Sequence, residues 1–179
     1  LKRFFIVQKS LNKNKIFKKY IKLFKDKKII ILKKYTNGQA STVAKSVKFL
    51  KKEQVIIVHS CDLSFKINLK EVRKKLKNYD VVVFTAKGKN FNYKNPSQFS
   101  WVRKNPKNNE VEISLKKNFN KNKKNNRVLV GSFIFRNKEI LNKSINYIKK
   151  NKLMVKNEYY LDHAALISKK IRFKLGEII

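Results

Sequence analysis

Four short apolar runs, each followed by a stretch of helical spacing, constrain this chain more than any other feature. Phe4-Phe5-Ile6-Val7, Ile29-Ile30-Ile31-Leu32, Val55-Ile56-Ile57-Val58 and Val81-Val82-Val83-Phe84 are β-rich and bounded by polar residues. Runs of that length and composition predict strands covered on both faces. Between them, Phe17, Tyr20, Ile21 and Phe24, then Val43, Ala44, Val47 and Leu50, then Leu69, Val72 and Leu76 recur at helical intervals. The reading is β-α-β-α-β-α-β. Parallel neighbours need crossover connections, so the alternation predicts an α/β fold of three αβα layers with a mixed, mainly parallel sheet and a Rossmann-like first half.

Beyond Phe84 the rhythm changes. Gly88, Pro96 and Pro106 punctuate shorter strand candidates around Phe99 to Arg103 and Val111 to Leu115, and a long strand is predicted from Val128 to Phe135, interrupted by Gly131. A helix follows with Ile140, Leu141, Ile145 and Ile148 on one side. Another is predicted from Asn157, as its cap, through Asp162 to Ile167, and a last strand from Ile171. No Pro/Gly/Ser linker divides the 179 residues, so one domain over 1–179 is expected.

The formal net charge is +35, from 46 Lys and Arg against 11 Asp and Glu. Such an excess ordinarily points to a polyanion. Here lysine dominates arginine and is scattered with asparagine over every predicted surface, whereas nucleic-acid binders concentrate Arg and aromatics on one face. The expectation is therefore no specific nucleic acid, with a basic RNA-associated protein kept as an alternative. No apolar run reaches the roughly 18–20 residues of a membrane span, so no membrane partner is expected. A lone cysteine, Cys61, cannot form an internal disulfide and fits a reducing, cytoplasmic setting.

In an open parallel sheet the functional crevice lies beyond the carboxyl ends of the strands. Tyr35 to Val43 occupies such a place, where Gly38 allows close backbone approach and Gln39 offers both a donor and an acceptor to a nucleobase edge. By itself the stretch reads equally as a loop and helix start. His59-Ser60-Cys61-Asp62 follows the third run, and a carboxylate there can hold Mg²⁺ against a phosphate; local turn bonding is the competing reading. Without a C-x-x-C or a second nearby ligand pair, structural zinc is not expected. Glu158 and Asp162, four apart, would share one face of the helix predicted there, either as metal-reaching acids or as a solvated face answering lysines.

Taken in order, Gly38-Gln39-Ala40 with Thr42, a strand ending at Asp62, a strand ending near Lys116, Val130-Gly131-Ser132-Phe133-Ile134-Phe135, and Asn157-Glu158-Tyr159-Tyr160-Leu161-Asp162 resemble the sugar-phosphate nucleotidyltransferase family. The branch is that of surface-polysaccharide biosynthesis, and the likeness runs along nearly the whole chain. It implies a nucleotide-diphosphosugar-transferase-like fold and an enzyme joining a nucleoside triphosphate to a sugar 1-phosphate or similar phosphate, with release of pyrophosphate. It further implies that Gly38, Gln39 and Thr42 bind the nucleotide, Asp62 and Asp162 bind Mg²⁺, Lys116 acts catalytically with Asp62 on the sugar phosphate, and Gly131 and Glu158 line the sugar pocket. Homo-oligomerisation stays open.

The pattern departs from the family at two positions. Leu115-Lys116 stands for a Glu-Lys pair, and Cys61 for the acid before the metal site. The resemblance also implies that the domain is incomplete at both ends. The family's first strand, with its Gly-rich loop, Arg and later Lys-Pro, would precede Leu1, so the activity of the fragment alone is an open question. A glycosyltransferase of the same architecture is the other enzymatic reading, although Asp62 is followed by Leu63-Ser64 rather than completing an Asp-x-Asp pair.

Overall fold

A computed structural model describes residues 2–60, 65–119 and 126–179. The first two strands, β1 (Arg3–Gln8) and β2 (Lys27–Leu32), pair in parallel with Phe5 opposite Ile29 and Val7 opposite Ile31. Two short helices, α1 (Lys9–Lys13) and α2 (Lys15–Ile21), make the crossover between them. Asn14 starts α2 by accepting a hydrogen bond from the Phe17 N–H at 3.0 Å, one of the donors a helix start leaves unpaired. Contrary to the sequence expectation, this pair is not covered on both faces. Ile31 is 48% exposed, and only Val7 and Leu32 are buried in these two strands.

The chain continues through α3 (Gln39–Ala44), a 3₁₀ turn at Val47–Phe49, β3 (Ile56–Val58), α4 (Leu69–Leu76) and β4 (Val81–Lys87). After α5 (Asn90–Lys94) come β5 (Trp101–Lys104), β6 (Val111–Ser114), β7 (Arg127–Phe135), α6 (Lys138–Lys150), α7 (Ala164–Ile171) and β8 (Leu175–Ile178). The strands from β3 onward form a second, mixed sheet in the order β6-β5-β7-β4-β8, with β3 also on β7. β3, β4, β5 and β8 share one direction, and β6 and β7 run against them.

One departure from simple alternation matters for function. β3 and β4 are not neighbours, because β7 runs antiparallel between them: Phe135 faces Ile56 on one edge and Val81 on the other. The apolar run that forms β4 explains how the layers close. Its side chains alternate, so Val81 and Val83 enter the larger core with Val43, Leu141, Ile145, Ile148 and Ile167 from α3, α6 and α7. Val82 and Phe84 enter a smaller core with Val72 and Leu76 of α4 and with Ile134 and Ile178. Helices thus cover the sheet on two sides, giving three αβα layers. Val81, Val82 and Val83 are essentially inaccessible to solvent, and each such burial contributes roughly 1.5–3 kcal/mol.

Two smaller corrections concern boundaries. Phe99 follows a 3₁₀ turn and β5 begins only at Trp101, whose indole N–H donates to the Pro96 carbonyl at 3.0 Å. Ile171 ends α7 instead of opening a strand. Arg172 then turns through the left-handed region (φ 58°) before β8.

Candidate functional site

β7 creates the site. Its Phe133–Phe135 half pairs with β3 and its Arg127–Val128 end pairs with β5, so Val130–Ser132 lies between the two on that edge. Along the opposite edge the register slips, Val83 facing Phe133 while Thr85 faces Leu129. Gly131 sits in that slip with φ 72°. It does not interrupt the strand, as the sequence had led us to expect, but bulges it. A Cβ there would meet Ser60 at 3.5 Å, ordinary contact, so the glycine is required by backbone conformation more than by space.

Gln39, the first residue of α3, reaches this bulge, its side-chain N–H donating to the Gly131 carbonyl at 3.2 Å. The preceding Gly38 has φ 86° and is pressed against another segment. A Cβ added there would lie 2.7 Å from both the N and O of Tyr159 and 2.9 Å from Cβ of Glu158. Two backbone bonds lock the contact, Tyr159 N–H to Asn37 O at 3.0 Å and Ala40 N–H to Tyr159 O at 2.9 Å. Thr42 is turned inward. Its hydroxyl pairs with that of Thr36 and donates to Gly38 O at 3.1 Å, so what it does here is hold the loop.

That clamp overturns the first part of the helix predicted from Asn157 to Ile167; only its end, from Ala164, is helical, as the start of α7. Asn157 lies in the left-handed region at φ 63°, Glu158 bridges to Val155, and Tyr160 is extended, followed by a 3₁₀ turn at Leu161–His163. Glu158 and Asp162 therefore do not share a helix face. The physical reason is that the Tyr159 N–H and C=O are bonded to Asn37 and Ala40, leaving neither for an intrahelical ladder.

Glu158 is exposed and accepts a hydrogen bond from the Tyr160 hydroxyl. Lys116, just past β6, has φ 54°, donates from Nζ to the Gln98 carbonyl at 2.9 Å, and holds the same ammonium 5.1 Å from the centre of the Tyr160 ring. Burial raises the Tyr160 hydroxyl pKa to about 12, helped by the bond to Glu158, so it remains a donor. Asp162 is buried, and desolvation raises its carboxyl pKa, while Ser100, the Lys116 charge and the backbone pull the other way. The Ser100 hydroxyl has no acceptor at full hydrogen-bonding distance, yet it faces this carboxylate closely enough to favour its ionised form. Burial also lowers the pKa of the neighbouring His163 imidazole.

Gly38 and Gln39 thus meet Gly131 on one side and the Glu158–Tyr160 segment on the other, and the Tyr160 side chain links Glu158 to Lys116, whose charge reaches Asp162. Asp62 lies outside the described residues. The segment leading to it is anchored by His59, whose Nδ1 lies 2.7 Å from the buried Ser132 hydroxyl and whose ring meets Phe65 edge-on at 5.3 Å. Tyr159, Tyr160, Ser100 and Ser132 are the site residues that sequence reasoning passed over. The paired tyrosines between two acids were visible, but nothing local says which backbone they clamp.

Among the described residues no three His, Cys, Asp or Glu side chains converge as a metal site.

No family model matches the chain, and no curated protein sequence matches it. Solved structures do. A nucleoside-diphosphate-sugar pyrophosphorylase from Vibrio cholerae RC9 superposes with a TM-score of 0.69 at 15% identity over 97% of this chain and 70% of its own. The inositol-1-phosphate CTP transferase from T. maritima gives 0.65 at 14% identity over 99% of this chain and 66% of its own. UDP-glucose pyrophosphorylase complexed with UDP-glucose gives 0.62 at 13% identity, over 99% and 73%. The chain therefore spans about two thirds to three quarters of the length of these structures, and it shares their fold.

Proposed function

We propose that the chain is the greater part of a nucleotidyltransferase domain that couples a nucleoside triphosphate to a sugar 1-phosphate or similar phosphate. The observation that supports this reading is that the Gly38–Gln39 turn is bonded to the segment that carries Glu158 and Tyr160, and that Tyr160 in turn holds the Lys116 ammonium beside Asp162, in a chain with this fold. An oxygen of the sugar phosphate attacks the α-phosphorus, the bond from that phosphorus to the bridging oxygen of the β-phosphate breaks, and pyrophosphate leaves. No protein nucleophile is consumed, so catalysis is positioning plus charge neutralisation.

The backbone at Gly38 comes close to the base, and Gln39, whose N–H is held by Gly131, presents its carbonyl oxygen to it. Thr42 stiffens that loop. Lys116 neutralises the attacking phosphate, and Glu158 accepts from sugar hydroxyls beside Gly131. Asp162, with Asp62, would hold Mg²⁺, which when bound offsets the charge of the phosphates. The product class, a nucleotide-sugar, suits cytoplasmic supply of polysaccharide synthesis.

Pyrophosphate release is the test, run on the protein as the cell makes it with Mg²⁺, each of the common triphosphates, and a panel including glucose 1-phosphate and inositol 1-phosphate. Release with at least one pair, lost in Lys116→Ala, is expected. Silence with every pair would defeat the reading.

A further inference from the structure

Tyr160 makes two contacts that point in different directions. Its hydroxyl donates to Oε2 of Glu158, and its ring face carries the Lys116 ammonium at 5.1 Å. Glu158 is exposed, and Lys116 has one further anchor, the Gln98 carbonyl at 2.9 Å. Tyr160 itself is well held. Its carbonyl accepts from the backbone N–H of His163 at 3.4 Å, its ring is half buried, and the residue before it is clamped on both backbone groups by Asn37 and Ala40. A long carboxylate and a long ammonium are thus tied to one fixed aromatic ring.

Resting on the reading given above, we propose that Tyr160 is a positioning residue that sets the spacing between Glu158 and Lys116, and so selects phosphates that carry a hydroxyl at the matching distance. After the Tyr160 bond Glu158 keeps its second oxygen free to accept, and Lys116 keeps N–H donors beyond the one used on Gln98. An acceptor and a cation at fixed separation read a hydroxyl donor and a phosphate on one molecule. A phosphate lacking the hydroxyl leaves the Glu158 oxygen unanswered, the kind of mismatch that polar sites reject most strongly.

The two contacts can be removed separately. Tyr160→Phe keeps the ring under Lys116 and drops the bond to Glu158; Tyr160→Leu drops both. Steady-state kinetics would compare an accepted sugar 1-phosphate with its analogue lacking the hydroxyl beside the phosphate. In Tyr160→Phe the KM for the sugar phosphate should rise roughly tenfold, as expected for loss of a hydrogen bond to a charged group. The kcat and the KM for the triphosphate should stay within about twofold, and discrimination against the deoxy analogue should shrink. Tyr160→Leu should add roughly another fivefold and lower kcat, because Lys116 loses its aromatic support.

Unchanged kinetics in Tyr160→Phe would overturn the proposal. So would an equal rise in the KM for the triphosphate, which would mean that the clamp on Gly38 had loosened. Failure of the enzymatic reading is separable, since it shows as no pyrophosphate release by the unaltered protein. Phosphorus NMR titration of glucose 1-phosphate then decides: tighter binding by the unaltered protein than by Tyr160→Phe sustains the role of Tyr160, and equal or absent binding overturns it.

Discussion

Gly38 and Gly131 both have positive φ, but they are constrained differently, and substitution separates the two causes. At Gly131 an alanine meets only ordinary contact, so Gly131→Ala should cost roughly the 1–2 kcal/mol of a left-handed non-glycine residue. At Gly38 the same strain comes with a Cβ 2.7 Å from two backbone atoms that cannot move aside without breaking the Tyr159 clamp. Gly38→Ala should therefore be the more destabilising in chemical denaturation and should weaken nucleotide binding as well, while Gly131→Ala retains it. The sign of pH dependence at His163 also follows from its surroundings. Burial lowers its folded pKa, so the imidazole is neutral in the fold, and the unfolded chain takes up a proton near pH 6.5 that the folded one does not. Stability from this residue is full above that value and is lost as pH falls toward the lowered folded pKa. Asp162 works oppositely: its raised folded pKa gives stability that is full at low pH and lost as pH rises through that raised value. Urea unfolding between about pH 7.5 and 5.5 should show a decline that is flatter in His163→Gln.

Among the elements, α6 is the simplest to probe without touching the candidate site. Asn137 caps it by accepting from the Ile140 N–H at 3.0 Å, and Asn137→Ala should cost about 1 kcal/mol in urea denaturation with no change in substrate KM. Elements also show what the sequence could and could not tell. The runs behind β1 to β4 and the amphipathic spacing of α4 and α6 were legible because their period is written locally. The position of β7 was not, since nothing near Val128 to Phe135 says that it will run antiparallel between β3 and β4. The extended stretch at Glu158 to Tyr160 was misread for a related reason. Its residues tolerate a helix, and the hydrogen bonds that decide against one come from Asn37 and Ala40, more than a hundred positions earlier. The candidate residues could be identified from their order along the chain, but their arrangement depended on these remote pairings.

For the whole molecule, the charge excess acts against compaction. With +35 spread over 179 residues, the compact state brings like charges together, and the described ion pairs, Arg103–Glu112, Arg127–Glu177, Arg136–Asp80 and Lys143–Glu139, answer few of them. Raising NaCl from about 20 to 300 mM shortens the screening length from roughly 20 Å to below 8 Å, so the Tm should rise over that range, as differential scanning fluorimetry would record. A fall in Tm with salt would mean that the surviving pairs outweigh the repulsion. The topology has a consequence of its own for synthesis. The Asp80 carboxylate at the foot of β4 receives the Lys174 N–H across 94 positions, and Gln39 meets Gly131 across 92. At translation rates of about 5–20 residues per second, the Val81–Phe84 run emerges from the ribosome several seconds to some twenty seconds before β8 can shield it. During that interval β7 can already pair with one edge of the run, but its other edge, which β8 later takes, stands open as a strand edge on which another chain could pair.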